Sequence, residues 1–255
     1  MVICVDIGNT LTDIGFFNEE KKLFKVLNYR SERIISEEEI FSSFSLFLAS
    51  NRIEIESLEG VIISSVVPSL EAIYSRMFKN KFNVECMVIG KGIKLGLPIN
   101  TDYPKEVGAD LIMDAVGAKA KYGNKCIIVD MGTANKVILL DDKGAFAGCV
   151  IAPGVNISSH ALFDKTAALH EISLEIPKKV LGKNTKDSLN SAFTFGTAFS
   201  LTNLALAIEK EAGYECKKIL TGGLSSLFVP LFEGYEYEKN LILEGLYATY
   251  LRNRS

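Results

Sequence analysis

Tryptophan is absent from this chain of 255 residues, histidine occurs only twice, and the five cysteines form no Cys-x-x-Cys pair. With His160 and His170 alone, and no Gly-x-Ser-x-Gly, a hydrolase triad and a histidine-rich metal site are both excluded. Cys4, Cys86, Cys126, Cys149 and Cys216 are odd in number, and three lie in apolar strand-like runs. That pattern fits reduced, buried thiols and neither zinc ligands nor a disulfide framework. No Gly-x-x-x-x-Gly-Lys-Ser/Thr is present, so this is no P-loop enzyme. Gly90, Gly92 and Gly96 have the wrong spacing for a dinucleotide loop, and Pro98 blocks the helix such a loop needs. Nor is one sign of charge in excess: a net charge of -3 leaves no electrostatic footprint for nucleic acid. No apolar run approaches the roughly 20 residues of a bilayer span. The chain opens on a strand rather than a basic segment and an apolar helix, so no secretory leader, no membrane partner and a cytoplasmic location are expected.

What the chain does have is a repeated device. Val2-Ile3-Cys4-Val5 runs into Asp6-Ile7-Gly8-Asn9-Thr10 and a second apolar strand that contains Asp13. At an offset of 124 residues, Cys126-Ile127-Ile128-Val129 runs into Asp130-Met131-Gly132-Thr133-Ala134 and another apolar strand. Each reads as a buried strand, a turn of the form Asp-x-Gly-small-small, and a return strand. A glycine there lets backbone approach a ligand closely, and the following amides and hydroxyls can donate to phosphate oxygens. The aspartate would repel phosphate, so its natural partner is a cation or the water around one. A single Asp-Gly turn is more often a plain hairpin. Two copies favour two similar half-domains clasping one nucleotide.

The element pattern agrees with duplication. Strands are expected near 2–7, 12–18 and 22–30, a helix from a capping box at Ser36 and Glu39, a strand at 60–63, a helix from Pro68 and a strand at 84–89. The second half repeats the order, with strands near 126–130, 135–141 and 145–151, long helices including 187–212, a strand at 218–221 and a closing helix near 240–252. The expected fold is therefore α/β: two actin-like (ribonuclease H-like) half-domains, residues 1–118 and 119–255, each with a mixed five-stranded sheet and with a cleft between them.

Further residues carry possible chemistry. Gly108-Ala109-Asp110 opens a helix, where Asp110 is either an N-cap or a general base for a substrate hydroxyl. Gly182-Lys183-Asn184-Thr185 is a polar turn before a helix, able to donate to an anion. Ile151-Ala152-Pro153-Gly154 either shapes a pocket wall or begins a helix, and Thr221-Gly222-Gly223 would let backbone approach a flat ligand such as adenine.

Taken in order, Asp6-x-Gly8-Asn9-Thr10, Ser64-Ser65-Val66-Val67-Pro68, Glu106-Val107-Gly108-Ala109-Asp110, Asp130-x-Gly132-Thr133-Ala134, Ile151-x-Pro153-Gly154, Gly182-Lys183-Asn184-Thr185 and Thr221-Gly222-Gly223 resemble the type III pantothenate kinases of the actin and sugar-kinase superfamily. The resemblance spans the chain. It implies phosphorylation of pantothenate to 4'-phosphopantothenate with ATP and Mg2+, the first step of coenzyme A biosynthesis. Asp6, Gly8, Asn9, Thr10 and Asp13 would form the ATP phosphate loop, joined by Gly132 and Thr133. Asp110 would be the general base, and Asp130 would hold a monovalent cation, potassium or ammonium. Thr101, Gly108, Ala109, Asp110, Leu111 and Thr185 would line the pantothenate side, with Thr185 reaching across a homodimer into the partner's site.

The acceptor side departs from the family's pattern. An Arg usually follows Gly-x-Asp, and here Leu111 stands there; a Tyr is common nine residues before the Asp, and here it is Thr101; a Thr-Thr pair is replaced by Asn135-Lys136. Pantothenate carries a carboxylate that suits an Arg fork. Three readings follow: a pantothenate kinase with rewired contacts, a kinase for a related small hydroxyl substrate, or a weak or inactive relative that binds nucleotide and regulates. Lys136 lies on a strand, where side chains alternate, so it points either into the cleft or to solvent. If it points inward, its ammonium could replace the monovalent cation or stand in for the missing Arg at the acceptor carboxylate, and a compact point charge suits the first role better.

Overall fold

The computed structural model describes residues 1–32, 34–55, 58–166 and 169–254. Contacts divide the chain into two compact units: residues 1–98, 103–121 and 241–255 form one, and 99–102 and 122–240 form the other.

In the first unit, β1 (Val2–Ile7), β2 (Leu11–Phe17) and β3 (Leu23–Arg30) make an antiparallel meander. Helix α1 (Glu37–Asn51) then leads to β4 (Gly60–Ser65), and α2 (Pro68–Phe82) leads to β5 (Cys86–Val88). Both later strands run parallel to β1, giving the sheet order β3-β2-β1-β4-β5. Strand β1 is buried along almost its whole length, which is why it reads as an unbroken apolar run rather than an alternating one. Ile3, Val5, Ile7, Ile14 and Phe16 meet Phe44 and Phe78 in the core on one side. Helix α1 begins as its sequence predicts: the Glu39 amide donates to the Ser36 hydroxyl at 3.2 Å, and the Ser36 amide donates to Glu39 Oε2 at 2.8 Å. Those Ser36 hydrogen bonds hold the Glu39 carboxyl below its ordinary value.

Helix α3 (Ala109–Tyr122) belongs largely to this unit, and so does the closing helix α8 (Leu241–Asn253), which packs on β1, β2 and β4. Tyr247 of α8 stacks flat on Phe17, ring centroids 4.1 Å apart. The two helices cross at glycines: a Cβ on Gly117 would lie 2.4 Å from the Leu241 carbonyl, and one on Gly245 would lie 2.0 Å from that of Met113. Only glycine at both places allows the backbones to approach so closely.

The second unit repeats the plan. The strands β6 (Cys126–Met131), β7 (Ala134–Leu140) and β8 (Phe146–Pro153) form a meander. Strand β9 (Lys217–Thr221) runs parallel to β6, and the two-residue β10 (Glu236–Tyr237) runs parallel to β9, so the order is β10-β9-β6-β7-β8. Each strand of this sheet has its counterpart in the first, and the expected pair of mixed five-stranded sheets is present. Helix α4 (Val155–Lys165) follows β8, a long helical stretch runs from α5 (Thr185–Ser191) through a π-turn at Ala192–Gly196 into α6 (Thr197–Ala212), and the short α7 (Ser225–Phe228) follows β9. Among the described residues, Thr185–Ala212 is long and apolar enough to cross a bilayer by length and composition alone. Its Leu189, Phe193, Ala198, Leu201 and Ala205 join Ile127, Val129, Met131 and Val137 in the second core, so that apolarity has an intramolecular use.

Candidate active site

The Asp6 turn is held by its own backbone. The Gly8 amide donates to the Leu11 carbonyl at 2.9 Å, and the Ser31 amide donates to the Thr10 carbonyl at 2.9 Å. Asn9 and Thr10 are exposed at the tip of the turn. Register puts Asp13 directly opposite Asp6, Ser64 beside Asp6 on β4, and Asn28 beside Asp13 on β3. Residues paired this way share one face of the sheet, so Asn28, Asp13, Asp6 and Ser64 form a polar row at the end of β1. Asn28 Nδ2 donates to Asp13 Oδ1 at 2.5 Å. The Ser64 hydroxyl is buried with no hydrogen-bond partner among the described residues. Two carboxylates directly opposite repel; a divalent cation between them and a phosphate would relieve this.

The equivalent row of the second sheet has a different chemistry. Thr221 on β9 and Lys136 on β7 flank Asp130. Lys136 Nζ lies 2.6 Å from Asp130 Oδ2, and the two side chains are 15% and 11% exposed. Lys136 therefore turns toward Asp130, which settles the direction that strand alternation had left open. Gly222 has φ +97°, and a Cβ there would lie 2.2 Å from Asp130 Oδ1 and 2.5 Å from the Met131 amide. This glycine is used to pack backbone against the aspartate. The Gly154 amide donates to the Thr133 carbonyl at 3.1 Å and Gly154 caps α4, so the Pro153-Gly154 turn braces the Thr133 turn and starts a helix at once.

Asp110 is the second residue of α3, inside the first turn rather than at its cap, and is partly exposed. Its Oδ1 folds back over Gly108, where a Cβ would stand 2.5 Å away, and Ala109 lies between them. Leu111 points into the protein and is 6% exposed. Thr185 is exposed at the first position of α5, behind an Asn184 cap whose Oδ1 accepts from the Asp187 amide at 2.8 Å. Thr101 lies in the short segment that belongs to the second unit, with its hydroxyl buried and unpartnered among the described residues. Burial pushes the Cys4 thiol well up, Cys126 up to about 11 and Cys86 up to about 12, so none of these three is a thiolate near neutrality; Cys149, against the expectation of buried thiols, is exposed.

The family profile of type III pantothenate kinases matches residues 2–206. A type III pantothenate kinase of Halalkalibacterium halodurans is 37% identical over 254 residues, covering 99% of this chain and 100% of that protein. This chain belongs to the type III pantothenate kinase family. A second member, from Dehalococcoides mccartyi, is 37% identical over 257 residues and covers 100% of this chain and 98% of its own. The fold extends further: a solved structure from Sinorhizobium meliloti, assigned as a 2-dehydro-3-deoxygalactonokinase, has a TM-score of 0.57 at 13% identity, covering 99% of this chain and 97% of that one.

For a type III pantothenate kinase, two features escaped the sequence reading. Asp114, one turn after Asp110 and on the same helical face, is 2% exposed. The signal was there, an acidic residue inside the otherwise apolar run Leu111–Ala118. Ser64 and Asn28 join the carboxylate row only through strand register, which no local pattern announces.

Proposed function

We infer that this chain transfers the γ-phosphoryl group of ATP to the primary hydroxyl of pantothenate, giving 4'-phosphopantothenate and ADP, the first step of coenzyme A biosynthesis. The observation that carries the reading is end-to-end relationship: 37% identity over 254 residues with a type III pantothenate kinase, covering 99% of this chain and 100% of that protein. Phosphoryl transfer asks a protein for positioning and charge neutralisation more than for covalent chemistry, and both turns are suited to that.

In this scheme the amides and hydroxyls of Gly8, Asn9, Thr10, Gly132 and Thr133 hold ATP phosphates. The opposed Asp6 and Asp13 hold the Mg2+ that arrives with ATP, since magnesium is usually bound through one or two carboxylates together with phosphates and water. Asp110 accepts the proton of the pantothenate hydroxyl while that oxygen bonds to the γ-phosphorus and the β,γ-bridging oxygen leaves with ADP. Thr101, Gly108, Ala109 and Leu111 make up the acceptor side. Leu111 stands where the family pattern has an Arg and is itself buried, so pantothenate's carboxylate is held by other donors. Thr185 serves the partner's site in a homodimer. Its exposure, with Phe199 50%, Leu206 53% and Leu181 80% exposed in the same unit, supports a face made for a second copy. Two small charged substrates and the absence of a basic footprint suit a cytoplasmic enzyme with no membrane or nucleic-acid partner.

A dissolved potassium ion fits Asp130 poorly. One carboxylate oxygen carries the Lys136 ammonium, and the Gly222 backbone packs against the other. No step is assigned to such an ion.

The product test is mass spectrometry of a reaction containing ATP, Mg2+ and pantothenate. A new species heavier than pantothenate by one phosphoryl group, carried on the hydroxyl by phosphorus NMR coupling, is expected. ATP binding without any such product would favour the regulatory reading.

A further inference from the structure

We propose that Lys136 is a built-in cation: its ammonium supplies to the Asp130 turn the positive charge that a dissolved monovalent ion would otherwise bring. The comparison of the two hairpins carries this. In the first, the residue facing Asp6 is a second carboxylate, Asp13. In the second, the residue facing Asp130 is Lys136, with Nζ 2.6 Å from Oδ2. The loop lengths produce the difference. Ile7 pairs with Thr12 across a four-residue loop, whereas Met131 pairs with Asn135 across a three-residue one, so residue 136 lands opposite the aspartate. Lys136 sits two strand positions from Ala134 and three residues from Thr133, whose turn is assigned to phosphate. An ammonium is a compact charge with donors in several directions, so it can serve one carboxylate oxygen and still add its field to a neighbouring anion. With both side chains mostly buried, that charge is screened far less than a surface lysine would be.

The activity arm of the test rests on the kinase reading above; the binding arm does not. Initial rates with ATP, Mg2+ and pantothenate are measured in potassium chloride and in tetramethylammonium chloride at equal ionic strength, for the parent, Lys136→Thr and Lys136→Met. Affinity for a non-hydrolysable ATP analogue is measured by calorimetry under the same conditions, and thermal midpoints report folding. The parent is expected to agree within about twofold between the two salts in both rate and affinity, and Lys136→Thr to fall by about tenfold or more in tetramethylammonium and recover in potassium, as loss of one charged contact predicts. Lys136→Met, with similar bulk and no room freed for an ion, should fall and not recover. A parent whose rate or nucleotide affinity climbs steeply with potassium overturns the proposal without any variant. So does a folded Lys136→Thr that matches the parent in both salts. If no phosphoryl reaches pantothenate, the kinase reading fails, while the salt dependence of nucleotide affinity still decides the role of Lys136.

Discussion

Asp110 lies in the first turn of α3 with its carboxylate folded over Gly108, and Asn at that position keeps the shape while removing the basic oxygen. Asp110→Asn is therefore expected to lower kcat by at least about a hundredfold, the scale of general base catalysis, with analogue affinity and thermal midpoint close to the parent's. Near-normal turnover would reduce Asp110 to a residue that merely complements the helix start. Gly222 makes a second residue-scale case, because it has both φ +97° and a Cβ position 2.2 Å from Asp130 Oδ1. Gly222→Ala should cost more than about 1 kcal/mol in urea unfolding, since neither strain nor clash can relax alone. An unchanged midpoint would mean that Asp130 moves freely and that its pairing with Lys136 is loose. At this scale the two aspartate turns were readable, because Asp-x-Gly after an apolar run is a local signal. The direction of Lys136 was not, because alternation leaves two faces open until a loop length sets the register.

Among the elements, α1 and the α3–α8 crossing show how far local rules reach. The capping box at Ser36 and Glu39 was legible because it lies within four residues of sequence, and the hydrogen bonds are those it predicts. Ser36→Ala should lower stability by about 1 kcal/mol, read as a shift in the denaturant midpoint with unchanged slope. Gly117 and Gly245 lie far apart in sequence, so nothing local says that they meet. A methyl on either would run into the carbonyl of the other helix. Gly117→Ala and Gly245→Ala should each cost about 1–3 kcal/mol by overpacking, and the double variant should cost less than their sum, because one displacement of α8 accommodates both. Strict additivity would place the two glycines in separate environments.

For the molecule as a whole, duplication made the architecture readable: three strands, then further strands parallel to the first, appear twice in the same spatial order. The return of α8 to the first sheet was less accessible, because a helix that follows the second sheet in sequence gives no local sign of packing on β1, β2 and β4. In the proposed acceptor side Leu111 is buried, and Thr101 stands where the family pattern commonly has a Tyr. The direct measurement is the initial rate of ADP release from Mg-ATP, coupled to an indicator, with and without pantothenate. The account predicts a rate that saturates with pantothenate, is at least about a hundredfold above the acceptor-free background, and is lost in Asp110→Asn. A protein that binds ATP yet releases ADP no faster with saturating pantothenate than without it would contradict the account.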